Sequence, residues 1–316
     1  MIMNSITSLF PIKYPIVSGG MIWCSGWRLA AAVSNVGGLG LIGAGSMSPE
    51  ILREHIQKCR KATDKPFGVN LPLLMPDVAE IVSVIIEEKV PIVFSSAGSA
   101  ATWTPVLKKE GILVAHVVSS VALAKKVEAL GVDAIVAEGV EAGGHNGKNE
   151  TASMVLWPEV AAAVSLPVIA AGGIGSGKQI YAAMALGTQG VQIGTLFAAA
   201  EESSAHIAFK QALVDAKEGD TKLFFRKLSP TRLLKGAFYD KIDQAEANGA
   251  SEKELLDILG KGRTRKGMFE GDLIEGELEI GQIVSSVSKI QTVSGIFADL
   301  IADFRQTKIK MEGLTL

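Results

Sequence analysis

The chain has 316 residues, of which 48% are hydrophobic and 6% aromatic, and its formal net charge at pH 7 is −2. This near balance of charge gives no electrostatic reason to expect nucleic acid or a membrane surface as a partner. The 2 cysteines are too few for a disulfide scaffold or a cysteine-rich metal site. Because there is no signal-peptide pattern and no apolar run of ~18 residues, we expect a cytoplasmic protein without a transmembrane helix.

Short apolar runs alternate with helix-like stretches over the first two thirds of the chain. The helix after the second run is predicted to begin at Ser48 and Pro49, a favoured pair for a helix start. Eight strand-then-helix units favour a closed (β/α)₈ TIM barrel over an open doubly wound sheet. The strand-like runs are residues 14–20, 38–45, 66–72, 91–98, 112–118, 133–137, 167–173 and 190–197.

The pattern changes at about residue 219, where charged sequence of helical period with glycine breaks replaces the alternation. This part ends in a glycine-rich loop and a long amphipathic helix, which we expect to fray after about residue 307. We predict that residues 1–218 form the barrel and that residues 219–316 form a helical extension, a substrate lid packed over the barrel mouth. Its apolar positions are too few for an independent domain.

The long loop after the sixth strand carries the sequence EGVEAGGHNG at residues 138–147. Extra length at the carboxyl end of a barrel strand usually serves the active site. Gly143 and Gly144 leave backbone that a flat ligand can approach, and His145 can exchange a proton near neutral pH. We predict a catalytic or cofactor contact for His145. Of Glu138 and Glu141, we expect one to orient a ring or sugar hydroxyl and the other to be a solvated charge.

Glycines also follow the seventh and eighth strands. Gly172 and Gly173 precede a helix, whose N-terminal N–H groups can dock an anion, and Gly194 and Thr195 add bare backbone and a hydroxyl. In barrels of this kind the loops after these two strands form a recurrent phosphate site. The pattern therefore predicts a cofactor that carries phosphate, with a structural turn as the alternative.

Two glycine motifs resemble nucleotide-binding fingerprints but lack their context. Gly38, Gly40 and Gly43 fit G-x-G-x-x-G, yet they lie inside a strand-like run, so tight barrel packing explains them better. Residues 172–178 nearly match a P-loop, but Gln179 stands where a Ser or Thr hydroxyl should bind Mg²⁺. Neither motif predicts a dinucleotide or nucleoside triphosphate site.

Three polar or flexible residues at strand ends suit the edge of a heterocycle. Asn70 closes the third strand and offers both a donor and an acceptor, although a strand-end turn is an equal alternative. Gly20 and Met21 follow the first strand and can place bare backbone and a thioether against the same ring.

The remaining histidines have less specific surroundings. His55 lies on a charged helix and is expected at the surface, while His206 precedes the eighth helix and is expected to cap or pack. His116 lies within the fifth strand and can face either the core or the barrel mouth. No His, Asp and Glu cluster has the spacing of a metal site, so none is predicted.

Several of these motifs together resemble one known family, from about residue 12 to at least residue 298. It is the FMN-dependent family that contains nitronate monooxygenases and enoyl-acyl-carrier-protein reductase II. The stretch VSSVALAKKVEALGVDAIVAEGVEAGGHNGK and the EESSAH segment look most like the bacterial reductase branch. The motifs that carry the resemblance are GGM, PFGVN, EGVEAGGHNG, PVIAAGGI, VQIGT, EESSAH and FEGDLIEGELEIGQ.

The resemblance implies FMN at the barrel mouth, NADH or NADPH as co-substrate, and a trans-2-enoyl thioester on acyl-carrier protein as substrate. It also implies a homodimer, and it gives His145 the task of binding the thioester carbonyl or helping to deliver the α-proton. The phosphate would lie on Gly172, Gly173, Gly194 and Thr195, and the ring and ribityl chain against Gly20, Met21, Asn70, Glu138 and Gln192, with Gly143 and Gly144 close by.

The same loop suits a second activity within the family. In a nitronate monooxygenase the matching histidine would act as a base on an acidic C–H, and O₂ would reoxidise the flavin. A non-catalytic flavin- or phosphate-binding barrel is a lesser alternative. One position departs from the family pattern, because Leu196 stands where an arginine is expected after Gly194 and Thr195. Ion pairing at that point is therefore in doubt.

Overall fold

A barrel of parallel strands lies at the centre of the protein, which a computed structural model describes for residues 4–314. Every barrel strand falls within one of the predicted apolar runs except β6, which extends one residue further to Glu138, and a second, smaller sheet lies beside the barrel mouth. The strands are β1 (Ile16–Ser18), β2 (Gly40–Gly43), β3 (Phe67–Pro72), β4 (Ile92–Ser96), β5 (Leu113–Val118), β6 (Ala134–Glu138), β7 (Gly144–His145), β8 (Val168–Ala171), β9 (Gly190–Ile193), β10 (Thr221–Phe224) and β11 (Thr231–Leu234).

The eight-stranded sheet closes on itself. Its order is β1-β9-β8-β6-β5-β4-β3-β2, and each pair within it is parallel. The outer two strands are joined by backbone hydrogen bonds, from Ser18 N to Leu39 O at 3.0 Å and from Leu39 N to Ile16 O at 2.9 Å. The predicted TIM barrel is confirmed, and the open doubly wound sheet is excluded.

Helices follow the barrel strands and cover their outer faces, as parallel strands buried on both faces require. The helix after β2 begins as predicted, with the Ser48 side chain accepting from Ile51 N. The helices are α1 (Ser5–Leu9), α2 (Trp27–Asn35), α3 (Pro49–Ala62), α4 (Val78–Glu87), α5 (Ala100–Lys109), α6 (Val121–Ala129), α7 (Ser153–Ala163), α8 (Gly177–Ala185), α9 (Thr195–Ala198), α10 (Ile207–Asp215), α11 (Ala237–Ala247), α12 (Glu252–Leu259) and α13 (Val293–Glu312).

The core has an inner and an outer layer, set by the alternation of side chains along each strand. In β4, Ile92 and Phe94 point into the barrel while Val93 packs outward against the helices. Helix α1 adds Ile6 to the inner layer, and the adjacent Phe10 lies 5.6 Å from Phe94 between ring centroids. The sequence did not predict α1, which closes the end of the barrel opposite the mouth.

The glycines of the apparent dinucleotide motif serve packing, as predicted. A Cβ on Gly40 would collide with the carbonyl of Ala30 in α2, and one on Gly43 would come within 2.6 Å of Met21 O. A Cβ on Gly38 would lie 2.6 Å from the ring of Phe297. These positions therefore lack room for a side chain because helices and loops lie directly on the strands.

The part of the chain after the barrel contains strands as well as helices. β10 and β11 pair antiparallel, and β11 also pairs with β7 in the long loop of the barrel. The expectation of helix after residue 219 holds for α11, α12 and α13 but is wrong for β10 and β11. Each of these strands has only four residues, and β11 pairs with a distant loop, so a local periodicity cannot reveal the small sheet.

The last helix packs on the outside of the barrel against α8 and α2. Phe304 lies 5.7 Å from Tyr181 of α8 between ring centroids, and Ile301 packs against the main core. The fraying expected after residue 307 is wrong, because the helix continues to Glu312. No helix among residues 4–314 is long and apolar enough to cross a membrane.

We predict that the contact between α8 and α13 requires a glycine at position 177, in the P-loop-like stretch. A Cβ there would collide with Phe304 N and Leu300 O of α13. Gly177→Ala should therefore lower the free energy of unfolding by about 1–3 kcal/mol, the usual cost of overpacking. Chemical denaturation measures this loss. Gly236→Ala is the control, because its Cβ would meet nothing closer than 3.6 Å. Equal stability of the two variants would contradict the contact.

Candidate active site

A cavity of about 720 Å³ opens at the carboxyl ends of the barrel strands. All the site residues predicted from the sequence line it, although they come from five separate parts of the chain. A TIM barrel places its active site at this end because the loops there can vary without disturbing the core. The predicted residues that line the cavity are Gly20, Met21, Asn70, Glu138, Gly143, Gly144, His145, Gly172, Gly173, Gln192, Gly194 and Thr195.

The loop after β8 presents backbone without side chains to the cavity. Gly172 and Gly173 have φ angles of +92° and +69°, which side chains rarely adopt. A Cβ on Gly172 would also come within 2.8 Å of Gly139 O. Gly194 follows β9, and a Cβ on it would lie 3.5 Å from the Met21 sulfur, which also lines the cavity. Exposed N–H groups in such a cradle suit an anion, so the geometry fits a phosphate group.

Two carboxamides point into the cavity from strands. Asn70 lies within β3, not in a turn after it, and its Nδ2 donates to Phe94 O at 3.0 Å. Gln192 of β9 makes only a long contact of 3.5 Å, from Nε2 to Ser18 O. No donor among residues 4–314 bonds the Asn70 carboxamide oxygen. A Cβ on Gly20 would collide with Asn70, so this glycine makes room for the amide.

The two carboxylates of the long loop have different environments. Glu141 accepts from Ser153 Oγ at 2.7 Å and from Ser153 N at 3.1 Å, which fixes the loop to the start of α7. It is therefore structural, and the expectation of a solvated charge is wrong. Glu138 lines the cavity without a hydrogen bond to its carboxylate from the described residues, and burial raises its pKa to about 7.

The His145 loop is fixed on one side by the small sheet. His145 pairs with Thr231 and Gly144 with Arg232 in the β7–β11 ladder. The Arg232 guanidinium donates to Val140 O at 2.8 and 3.1 Å. The loop is thus held while the His145 side chain stays exposed towards the cavity.

A second segment of the C-terminal part holds the same loop from the other side. A Cβ on Gly143 would lie 2.5 Å from Gly281 N, and one on Gly144 would lie 2.5 Å from Glu279 Oε2. Gly144 also has a φ angle of +71°. These glycines were expected to admit a flat ligand. The structure adds a different reason for them, namely the close approach of residues 279–281.

The other histidines divide into one cavity residue and two helix caps. His116 faces the barrel mouth, with its Nδ1 at 2.7 Å from Ser95 Oγ, and burial lowers its pKa to about 4, so it is neutral. His206 caps α10 as expected, accepting from Ala208 N at 3.1 Å. His55 is half-buried, contrary to the surface expectation, because its Nδ1 accepts from Trp27 N at the start of α2.

The C-terminal part contributes six cavity residues that the sequence did not assign to the site. Glu279 is the charged one, and the alternation in GELEIG was the only local signal that an extended segment occurs there. No cluster of His, Cys, Asp and Glu among residues 4–314 suits a metal ion. These six lining residues are Ser229, Met268, Glu279, Ile280, Gly281 and Ile283.

Leu196 occupies the position where the family pattern has an arginine. Its side chain is half-buried and packs against two hydrophobic clusters. It lines a small separate pocket of about 180 Å³ together with Asp299 and Asp303. Leu196 does not line the main cavity, so the substitution leaves the backbone cradle of Gly172 and Gly173 unchanged.

Glu138 supports a prediction about stability and pH. The pKa of Glu138 is about 7 in the folded protein, against an ordinary value of 4.5. Between these two pH values the folded state binds more protons than the unfolded state. The stability of the folded protein therefore falls as the pH rises from about 4.5 to 7. Glu138→Gln in FMN-free protein should gain about 1 kcal/mol above pH 7 and nothing near pH 5, a value that allows for solvent in the cavity. Thermal denaturation at both pH values measures this, with exposed Glu159→Gln as control. A stability difference between Glu138→Gln and the wild type that does not change with pH would contradict the raised pKa of Glu138.

Comparison with known proteins agrees with this geometry. The chain matches the nitronate monooxygenase family over residues 4–303. It superposes on FabK from Thermotoga maritima with a TM-score of 0.92 and 42% identity, covering 99% of both chains. It is 32% identical to a probable nitronate monooxygenase of Staphylococcus saprophyticus, over 83% of this chain and 88% of that protein. It is 29% identical to a 5-hydroxy-7a-methyl-1-oxo-octahydro-1H-indene-4-carboxyl-CoA dehydrogenase of Rhodococcus jostii, over 95% of each.

Proposed function

The chain belongs to the nitronate monooxygenase family of FMN-dependent oxidoreductases, and we propose that within this family it is an enoyl-acyl-carrier-protein reductase. Its proposed reaction reduces trans-2-enoyl thioesters with NADH or NADPH in fatty-acid biosynthesis. The observation that carries the proposal is the similarity to FabK, which extends over 99% of both chains at 42% identity. A relative named for a carboxyl-CoA substrate supports thioester chemistry on this scaffold.

The residues at the barrel mouth fit FMN. The cradle of Gly172, Gly173 and Gly194 suits the phosphate because a Cβ on Gly172 would obstruct it and the N–H groups stay free of side chains. The carboxamides of Asn70 and Gln192 suit the polar edge of the ring. When bound, FMN would accept hydride from the nicotinamide and donate hydride to the β-carbon of the enoyl thioester.

The chain's own residues would bind and protonate the substrate. His145 lies exposed in the cavity on a loop held from both sides, so it can bind the thioester carbonyl or deliver the α-proton. Leu74 and Leu123 are 77% and 43% exposed at the opening, where they offer apolar contact to an acyl chain. The lid role is proposed for the part of the C-terminal extension before α13, because Glu279, Ile280 and Gly281 contribute to the cavity wall, whereas α13 packs on the outside of the barrel.

A nitronate monooxygenase is the second candidate, favoured by the family match and by the relative in Staphylococcus saprophyticus. In that reaction His145 would take the proton from an acidic C–H, and no nicotinamide would be consumed. A flavin-binding barrel without catalysis is less well supported, because it gives no reason for a fixed loop that exposes a histidine to the cavity.

Anaerobic addition of NADH or NADPH to the purified yellow protein separates the two enzymes. We expect rapid bleaching of the flavin absorbance, followed by reoxidation when a crotonyl thioester is added. Bleaching without reoxidation by thioester would contradict the reductase. The absence of bleaching, together with O₂ uptake on propionate 3-nitronate, would establish the oxygenase instead. Colourless protein that cannot be reconstituted with FMN would exclude both.

His145→Ala should retain FMN and lower turnover of the crotonyl thioester by about 10²–10⁴-fold, the usual contribution of a positioned proton donor. Rapid-mixing absorbance at matched flavin occupancy measures the thioester half-reaction. His206→Ala is the control, since this exposed cap lies outside the cavity and its loss should affect stability without affecting turnover. Unchanged turnover in His145→Ala would mean that His145 has only a structural role.

A further inference from the structure

The cavity at the barrel mouth has a charged side and an apolar side. The carboxylates that line it come from the β6 loop and the C-terminal part, and they are Glu138, Glu141 and Glu279. The loops after β3, β4 and β5, all within the described residues 4–314, line it without a charged side chain, since His116 is neutral. The larger apolar residues of these three loops define the apolar side, and they are Pro72, Leu74, Met75, Val117, Val118 and Leu123.

Two leucines of the apolar side are held in contact with solvent. Leu74 is 77% exposed and Leu123 is 43% exposed, although both line the cavity. The loop that carries Leu74 is packed, because Leu73 N donates to Ser96 O at 2.7 Å. Gly98 has a φ angle of +120°, and a Cβ on it would lie 3.4 Å from the Leu74 side chain. Exposed apolar side chains that line one cavity indicate a surface that a ligand covers.

The apolar side begins next to the His145 loop and follows the rim of the barrel. His145 lies in the loop after β6, and β5, β4 and β3 follow in that order, each paired with the next. Neighbouring strands lie about 4.8 Å apart, so the three intervals from β6 to β3 span at most about 14 Å. An extended polypeptide covers about 1.2 Å per chain atom, and an alkyl chain is comparable. A chain of about ten carbons that begins at His145 would therefore reach Leu74.

We propose that the apolar side binds the alkyl chain of the substrate and that Leu74 and Leu123 set the preferred chain length. The proposal rests on the proposed reductase function, in which His145 binds the thioester carbonyl. The carbonyl end lies at the β6 loop, and the alkyl chain runs across the loops of β5 and β4 towards β3. The opposite side disfavours the chain, because alkyl carbon would remove water from its carboxylates. Since Leu74 is open to solvent, a longer chain continues past it without further contact.

The first test measures binding, so it does not depend on turnover. Calorimetric titration of the FMN-loaded protein with saturated thioesters of N-acetylcysteamine, from butyryl to dodecanoyl, gives a dissociation constant for each chain length. We expect this constant to fall by about two- to fourfold for each added methylene, fourfold being the value for complete burial. The fall should end at about the decanoyl thioester, where the chain passes Leu74. A dissociation constant that stays level or rises from butyryl to decanoyl would overturn the proposal.

Variants of the two leucines then locate the chain. Leu74→Ser and Leu123→Ser should each lower the ratio of the butyryl to the decanoyl dissociation constant by about 5- to 10-fold, because apolar surface that the long chain covers is lost. Leu123→Ser should affect shorter chains than Leu74→Ser does, since β5 lies next to β6. Leu74→Met should keep most of the wild-type ratio.

Leu256→Ser is the matched control, because this leucine of α12 is 54% exposed and lies outside the cavity. It should leave the ratio unchanged. Equal weakening at every chain length in Leu74→Ser, or the same loss of ratio in Leu256→Ser, would contradict the assignment. If the wild-type protein reduces no enoyl thioester of any length, the proposed function fails, whereas the calorimetric titrations still decide whether the apolar side binds an alkyl chain.

Discussion

The contact between residues 279–281 and the Gly143–Gly144 backbone determines how the site is assembled. No side chain fits between the two segments, because a Cβ on either glycine would lie within 2.5 Å of the opposing chain. Gly281 N also donates to Thr195 Oγ1 at 3.3 Å, which joins the C-terminal part to the end of β9. Three regions that are distant in the sequence therefore meet beside the His145 loop.

This contact also explains why the histidine loop can be long and still have a defined shape. Loops of this length are usually mobile, and catalysis needs a side chain held within a fraction of an ångström of its productive position. Here β11 pairs with one edge of the loop and residues 279–281 lie on the other. Asn146 adds internal bonds to the carbonyls of Ala142 and Gly144 at 2.9 and 3.0 Å.

The barrel could be predicted from the sequence because its signals are local. Each strand is a short apolar run followed by a helical period, and the residues at the strand ends converge once the ring closes. Glu279 could not be found in this way, since its place beside Gly144 depends on contacts across more than a hundred residues. Likewise, β10 and β11 have their partners in each other and in β7, so residues 219–234 read as helix in isolation.

The role of a single glycine is equally hard to predict from the sequence. Gly172 has a positive φ and faces the cavity, whereas Gly177, five residues later, is required by the crossing of α13. Sequence spacing cannot distinguish a glycine that admits a ligand from one that admits another part of the chain. Only the packed structure separates the glycine at the cavity from the glycine at the helix contact.

The electrostatics of the cavity bear on the choice between the two candidate reactions. A base that removes a proton from carbon works best beside a group that is already ionised, whereas a proton donor benefits from an acid held in its neutral form. Burial favours the neutral acid at Glu138 and Glu279, which line the cavity with His145. His116 is neutral as well, because burial lowers its pKa to about 4, so β5 adds no positive charge to the cavity. Carboxyl groups whose pKa is raised in this way can hold protons closer to neutral pH, which suits the proton delivery that the proposed reductase requires.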